Sequence, residues 1–187
     1  MVLHLLPHAI TLLRLLAAPV IAWLIVEARF REAVALVLLA GITDWLDGYA
    51  ARKLNVSGKL GVVFDPIADK VLLVTLFFAL TAVGLIQFWL FCLVMGRDLV
   101  IVAGALLLRR FRGIREFTPS TIGKESTFFQ IVFVLLVLSY QLLPIEFLLW
   151  LRTMAFWVTA LFTAVSGLDY VRLGIRLTAH KPVSPLQ

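Results

Sequence analysis

Asp44, Asp47, Asp65 and Asp69 fall within the stretch TDWLDGYAARKLNVSGKLGVVFDPIADK, residues 43–70 of a 187-residue chain that is 62% hydrophobic and 15% charged. On a helix, residues three, four, seven and eight apart share a face. Asp44, Asp47, Gly48, Ala51 and Arg52 have those offsets, and Gly61, Asp65 and Asp69 repeat at intervals of four. A short connector joins the two runs, so two carboxylate stripes can face each other. Four ionised carboxylates in a poorly hydrated site require protons or cations, because like charge and burial both raise carboxylate pKa. Oxygen-only donors suit hard divalent ions such as Mg²⁺ or Mn²⁺, and two of them would offset four negative charges. Gly48, Ala51 and Gly61 leave room on the same faces for a ligand to approach the backbone. A single intramembrane aspartate is often one half of a helix contact, but four at these spacings exceed what such contacts need. Pro66 has a simpler reading, as the first residue of a helix capped by Asp65, which is compatible with metal ligation.

The elements that must hold these groups are apolar. Windows of about twenty residues, the length a bilayer demands, fit at 10–27, 33–51, 60–85, 88–108, 126–143 and 148–171. The composition and windows together predict an all-α, polytopic integral membrane protein of six transmembrane helices, forming one membrane domain over residues 1–187. Residues 1–9 read as a short interfacial segment and 178–187, with two prolines, as a mobile tail. Residues 109–126, RRFRGIREFTPSTIGKES, read as a basic connector. No Lys or Arg precedes the first window and Arg14 interrupts it, which argues against a cleaved signal peptide. Cys92 is the only cysteine, excluding an intrachain disulfide and a cysteine metal cluster.

Most of the 17 Lys and Arg residues fall between windows two and three, between four and five, or after six, whereas Arg29, Arg31 and Arg152 occupy the opposite side. The positive-inside rule then places both termini and the carboxylates at the cytoplasmic face of an inner membrane. The net charge of +6 faces anionic lipid rather than nucleic acid, since the basic residues are scattered between helices.

The spaced positions Asp44, Asp47, Gly48, Ala51, Arg52, Gly61, Asp65 and Asp69 resemble the full signature of the CDP-alcohol phosphatidyltransferase family. That resemblance implies a six-helix membrane enzyme, usually a homodimer, which transfers a phosphatidyl group from CDP-diacylglycerol to an alcohol and releases CMP. It implies Asp44, Asp47, Asp65 and Asp69 as ligands of two divalent ions, Asp69 also as general base, and Gly48, Ala51, Arg52 and Gly61 as the nucleotide pocket. TDWLDGYAARK and DPIADK look most like members whose acceptor is glycerol 3-phosphate. GRDLVIVAGALLLRR and FTPSTIGKESTFFQ resemble members whose acceptor is phosphatidylglycerol, so the resemblance implies glycerol 3-phosphate as the acceptor, with phosphatidylglycerol as the alternative. In the N-terminal LPHAITLLR, His8 stands where the first type of member has Asn.

An anionic acceptor needs cations beyond the metals, and Arg14, Arg97 and Lys124 are the candidates. Arg97 has a competing reading as the partner of Asp98. Lys70 reads as a local counter-charge, and Asp169 as a helix contact. A small cation or proton transporter with intramembrane carboxylates is the alternative from another class. It would need a polar path to the far side, where the loops are nearly bare.

Overall fold

The computed structural model describes the backbone of residues 6–54, 61–112 and 121–179, and the side chains of 15–43, 70–104 and 122–175. Among these residues all regular structure is helical: α1 (Leu6–Val26), α2 (Phe30–Leu54), α3 (Gly61–Ala82), α4 (Phe88–Arg112), α5 (Thr121–Leu142) and α6 (Glu146–Ala179). Each apolar window coincides with one helix. Helices satisfy their own backbone hydrogen bonds, the requirement that an apolar surrounding imposes.

The ends have local causes. At the end of α1 the Arg29 N–H donates to Leu24 O at 2.8 Å and the Ala28 N–H to Ile25 O at 3.1 Å. This paired closure needs a left-handed residue, and Ala28 supplies it at φ 57°. The same closure ends α3, with Leu85 donating to Leu80 O, Gly84 to Thr81 O, and Gly84 at φ 76°. Helix α5 stops before Pro144, which disfavours helical backbone in the residue preceding it. Helix α2 starts with Glu32 in its first turn, held by two hydrogen bonds from Arg29.

Four boundaries differ from expectation. Helix α1 begins at Leu6, so it takes in residues 6–9 of the expected interfacial segment, while residues 1–5 are outside the described residues. Helix α3 begins at Gly61, so Asp65 is not its cap and Pro66 is not its first residue. Arg109–Arg112 continue α4 and Thr121–Ser126 open α5, leaving a shorter connector than hydropathy suggests. Helix α6 runs to Ala179, into the expected tail, and residues 180–187 are outside the described residues.

The chain divides into two compact units, one of residues 1–87 and 134–152, the other of residues 88–133 and 153–187. In the first, α1 packs against both α2 and α3. Ala18, Ile21 and Ile25 on α1, Ala33, Val37 and Ala40 on α2, and Leu76, Phe77 and Leu80 on α3 are buried. The alanines among them allow close approach of helix backbones. In the second, Trp89 of α4 stacks edge-on against Phe156 of α6, with ring centroids 5.3 Å apart, and Phe133 of α5 lies 5.9 Å from Phe156. Along the outside, Leu16, Trp23, Leu39, Phe78, Leu99, Phe128, Trp157 and Leu161 are exposed, a surface suited to hydrocarbon rather than water. Among the described residues, Ile122–Leu142 and Glu146–Ile175 are long and apolar enough to cross a membrane.

Candidate active site

The backbone of α2 is helical through Asp44, Asp47, Gly48, Ala51 and Arg52, and that of α3 through Gly61, Asp65 and Asp69. Continuous helix keeps Asp44 and Asp47 on one stripe at roughly 4.5 Å of axial rise, and Asp65 and Asp69 on another at roughly 6 Å. The side chains of all these positions, and of Arg14, lie outside the described residues. Among the described side chains no group of three His, Cys, Asp or Glu could hold a metal ion. Immediately before the first stripe, the Thr43 hydroxyl lies 2.8 Å from Leu39 O and 3.0 Å from Ala40 O, so it serves its own helix rather than a ligand. Lys70, immediately after the second, is half-buried.

The other candidates have described side chains. Arg97 is 7% exposed, and three of its nitrogens donate to three different partners. Nε reaches Ser166 Oγ on α6 at 3.1 Å, Nη1 reaches Asp98 Oδ1 at 2.6 Å, and Nη2 reaches Gly123 O on α5 at 3.0 Å. The Arg97 Cζ also lies 5.8 Å from the centroid of the Tyr170 ring, within cation–π range. Adjacent helical residues do not ordinarily face each other, yet the long arginine stem lets Arg97 meet Asp98, and both side chains are largely enclosed. The ion pair that competes with an acceptor role is therefore formed. Lys124, one residue beyond Gly123, is exposed. Asp169 is half-buried on α6.

Sequence reasoning singled out Arg97 and its pairing with Asp98, and missed the polar seam beside them. Gly123, Ser126 and Gln130 on α5 face Thr159, Thr163, Ser166 and Tyr170 on α6 in one buried polar seam. The Ser126 and Thr163 hydroxyls are 3.3 Å apart, Gln130 Nε2 donates to Thr163 Oγ1 at 3.2 Å, and the Thr159 hydroxyl donates to Phe129 O at 3.1 Å. Ser126, Thr159, Thr163 and Ser166 are wholly buried. Gly123 permits the approach: a Cβ there would sit 2.7 Å from the Tyr170 hydroxyl and 3.2 Å from Arg97 Nη2. The available signal was the recurrence of small and hydroxyl residues at three- and four-residue spacing, which is how polar helices associate in lipid.

The profile of the CDP-alcohol phosphatidyltransferase family matches residues 4–165. A CDP-diacylglycerol–glycerol-3-phosphate 3-phosphatidyltransferase of Aquifex aeolicus is 33% identical, covering 91% of this chain and 96% of that protein. A chloroplastic protein of the same name from Oryza sativa is 30% identical over 95% of this chain and 58% of its own length. The CMP-forming cardiolipin synthase of Homo sapiens is 38% identical over 63% of this chain and 38% of its own length. The chain thus spans nearly all of the Aquifex relative and only part of the other two.

Proposed function

Because the chain belongs to the CDP-alcohol phosphatidyltransferase family, and is thereby a transferase of substituted phosphate groups in phospholipid synthesis, we propose that it moves the phosphatidyl group of CDP-diacylglycerol onto a hydroxyl of glycerol 3-phosphate. The observation that carries this choice of acceptor is similarity along 96% of a relative named for glycerol 3-phosphate. Phosphatidylglycerol is the second reading, supported by 38% identity to human cardiolipin synthase over a shorter part of the chain.

The family generally uses divalent metals, and the residues fit that chemistry: four carboxylates in two pairs on helical backbone, with oxygen donors only. Asp44, Asp47, Asp65 and Asp69 would hold two Mg²⁺ or Mn²⁺ ions. Bound there, such ions supply positive charge to the diphosphate and to the departing CMP. Asp69 takes the proton of the acceptor hydroxyl, whose oxygen forms a bond to the phosphatidyl phosphorus as the P–O bond to CMP breaks. Gly48, Ala51, Arg52 and Gly61 line the nucleotide pocket, with the small residues giving the diphosphate access to backbone. Arg14 and Lys124 would meet the acceptor phosphate, together with the N–H groups of Arg97 that its bonds to Asp98, Gly123 and Ser166 do not use. The membrane arrangement in this reading is six spans with both termini and the site at the cytoplasmic face, and a homodimer as the functional assembly.

The test is CMP release by purified protein with CDP-diacylglycerol, Mg²⁺ or Mn²⁺, and one alcohol at a time: glycerol 3-phosphate, phosphatidylglycerol, serine or inositol. Glycerol 3-phosphate should support release and chelation should stop it. Release with phosphatidylglycerol alone would replace the first acceptor by the second. In the same assay Asp69→Asn should reduce the rate by at least about 10²-fold, in line with loss of a general base, and an unchanged rate would remove that role.

A further inference from the structure

Arg97 carries five N–H donors in a rigid planar fork. Ser166, Asp98 and Gly123 take one on each of its three nitrogens, leaving one N–H on each terminal nitrogen among the bonds described. Asp98 and Gly123 O bind the two ends of the fork. The single Nε–H, which defines the plane of the group relative to its stem, is taken by Ser166 Oγ, on a residue that is 0% exposed. Packing of the Tyr170 ring near the same group limits rotation from one side.

We propose that Ser166 is a positioning residue: by accepting from Nε it sets the plane of the Arg97 guanidinium so that the two remaining N–H groups aim at the phosphate of the acceptor. This rests on the reading above in which Arg97 meets that phosphate. A phosphate oxygen pair suits the two terminal N–H groups of an arginine fork. Glycerol 3-phosphate and phosphatidylglycerol both carry such a phosphate, so the proposal is common to either acceptor. Removing the hydroxyl strands Nε–H inside an enclosed site and lets the fork turn toward another acceptor, and the cost falls on acceptor binding rather than on the CDP-lipid.

The experiment measures KM for acceptor, KM for CDP-diacylglycerol, kcat and detergent-phase melting for Ser166→Ala, Ser166→Thr, Arg97→Gln and Arg97→Lys, with Ser166→Cys as the stand-in should the alanine variant not fold. The acceptor is whichever of the two supports turnover. Ser166→Ala should raise the acceptor KM by about tenfold, the scale of one hydrogen bond to a charged group, with the CDP-diacylglycerol KM unmoved and at most a modest fall in melting temperature from the stranded Nε–H. Ser166→Thr should restore it to within about twofold, the residual being the cost of an added methyl. If both Arg97 variants raise the acceptor KM while Ser166→Ala does not, the positioning role is overturned and the acceptor role of Arg97 stands. If neither Arg97 variant moves it, the acceptor role of Arg97 fails and the positioning role with it. A Ser166→Ala variant that melts earlier and alters both KM values alike would show a purely structural hydroxyl and also overturn the proposal.

Discussion

A guanidinium that is almost wholly enclosed has to find acceptors for its donors, and Arg97 does so on its own helix and on two others. Its charge is balanced by Asp98, whose side chain is 13% exposed. Breaking a buried pair from one side leaves an uncompensated charge. Asp98→Asn should therefore destabilise the protein by about 3 kcal/mol, read as a lower melting temperature or urea midpoint in detergent. Gly123 gives a sharper test of the seam. Gly123→Ala forces a Cβ against the Tyr170 hydroxyl at 2.7 Å and should cost about 1–3 kcal/mol. Tyr170→Phe should recover part of that loss in the double variant, because it removes the nearest atom, whereas two independent effects would simply add. The sequence made Arg97 conspicuous because a charge among apolar residues stands out. Gly123, Ser126, Thr163 and Ser166 were not legible in the same way, since glycine and hydroxyl residues are nearly neutral in hydropathy and fit equally well on a lipid-facing surface.

At the scale of the element, two helices end with the same closure but with different residues in the left-handed position. Gly84 adopts φ 76° at no steric cost, while Ala28 at φ 57° places a Cβ against the following carbonyl. Ala28→Gly should stabilise by about 1 kcal/mol and Gly84→Ala should destabilise by a similar amount. Melting curves of the two variants should therefore move in opposite directions. The turn after α1 also carries a pH response. The Arg29 hydrogen bonds lower the Glu32 pKa below its ordinary 4.5. A depressed carboxylate pKa contributes stability that is present above the ordinary value and is lost as pH falls through the folded one. The stability difference between the parent and Glu32→Gln should accordingly be constant above pH 4.5 and shrink as pH falls below it. The six helices were legible as apolar windows, but their ends were not. Hydropathy sees only the apolar stretch, whereas the backbone continues helical through Arg109–Arg112 of α4, Thr121–Ser126 of α5 and the residues up to Ala179 of α6, where hydrogen bonding within the helix persists after the side chains turn polar.

For the whole molecule the open quantity is orientation, since the proposed chemistry needs CDP-diacylglycerol and a phosphate-bearing acceptor to meet the carboxylates on one side. Two of the three cations on the sparsely charged side are tied to interface-type partners. Arg29 binds Glu32 and lies 5.8 Å from the Trp23 ring centroid, and Arg152 lies 4.7 Å from that of Tyr140. Arginine beside Trp or Tyr is the pairing expected where a helix leaves the hydrocarbon. In the six-span reading these contacts mark the level of one membrane surface, whichever compartment it faces. The dominant asymmetry is the crowding of Lys and Arg after α2, after α4 and at the end of α6, which the positive-inside rule reads as cytoplasmic. Cys92 is the only cysteine, so a Cys92→Ser background gives a clean labelling test. Gln87→Cys, in the exposed turn before α4, should react with a membrane-impermeant maleimide in intact cells. Arg172→Cys, exposed on the last part of α6, should react only after permeabilisation. The reverse pattern would put the carboxylate ends of α2 and α3 outside, away from a cytoplasmic supply of glycerol 3-phosphate. Labelling of both positions in intact cells would place Gln87 and Arg172 on one side and so break the odd number of crossings, α4, α5 and α6, that the six-span reading puts between them.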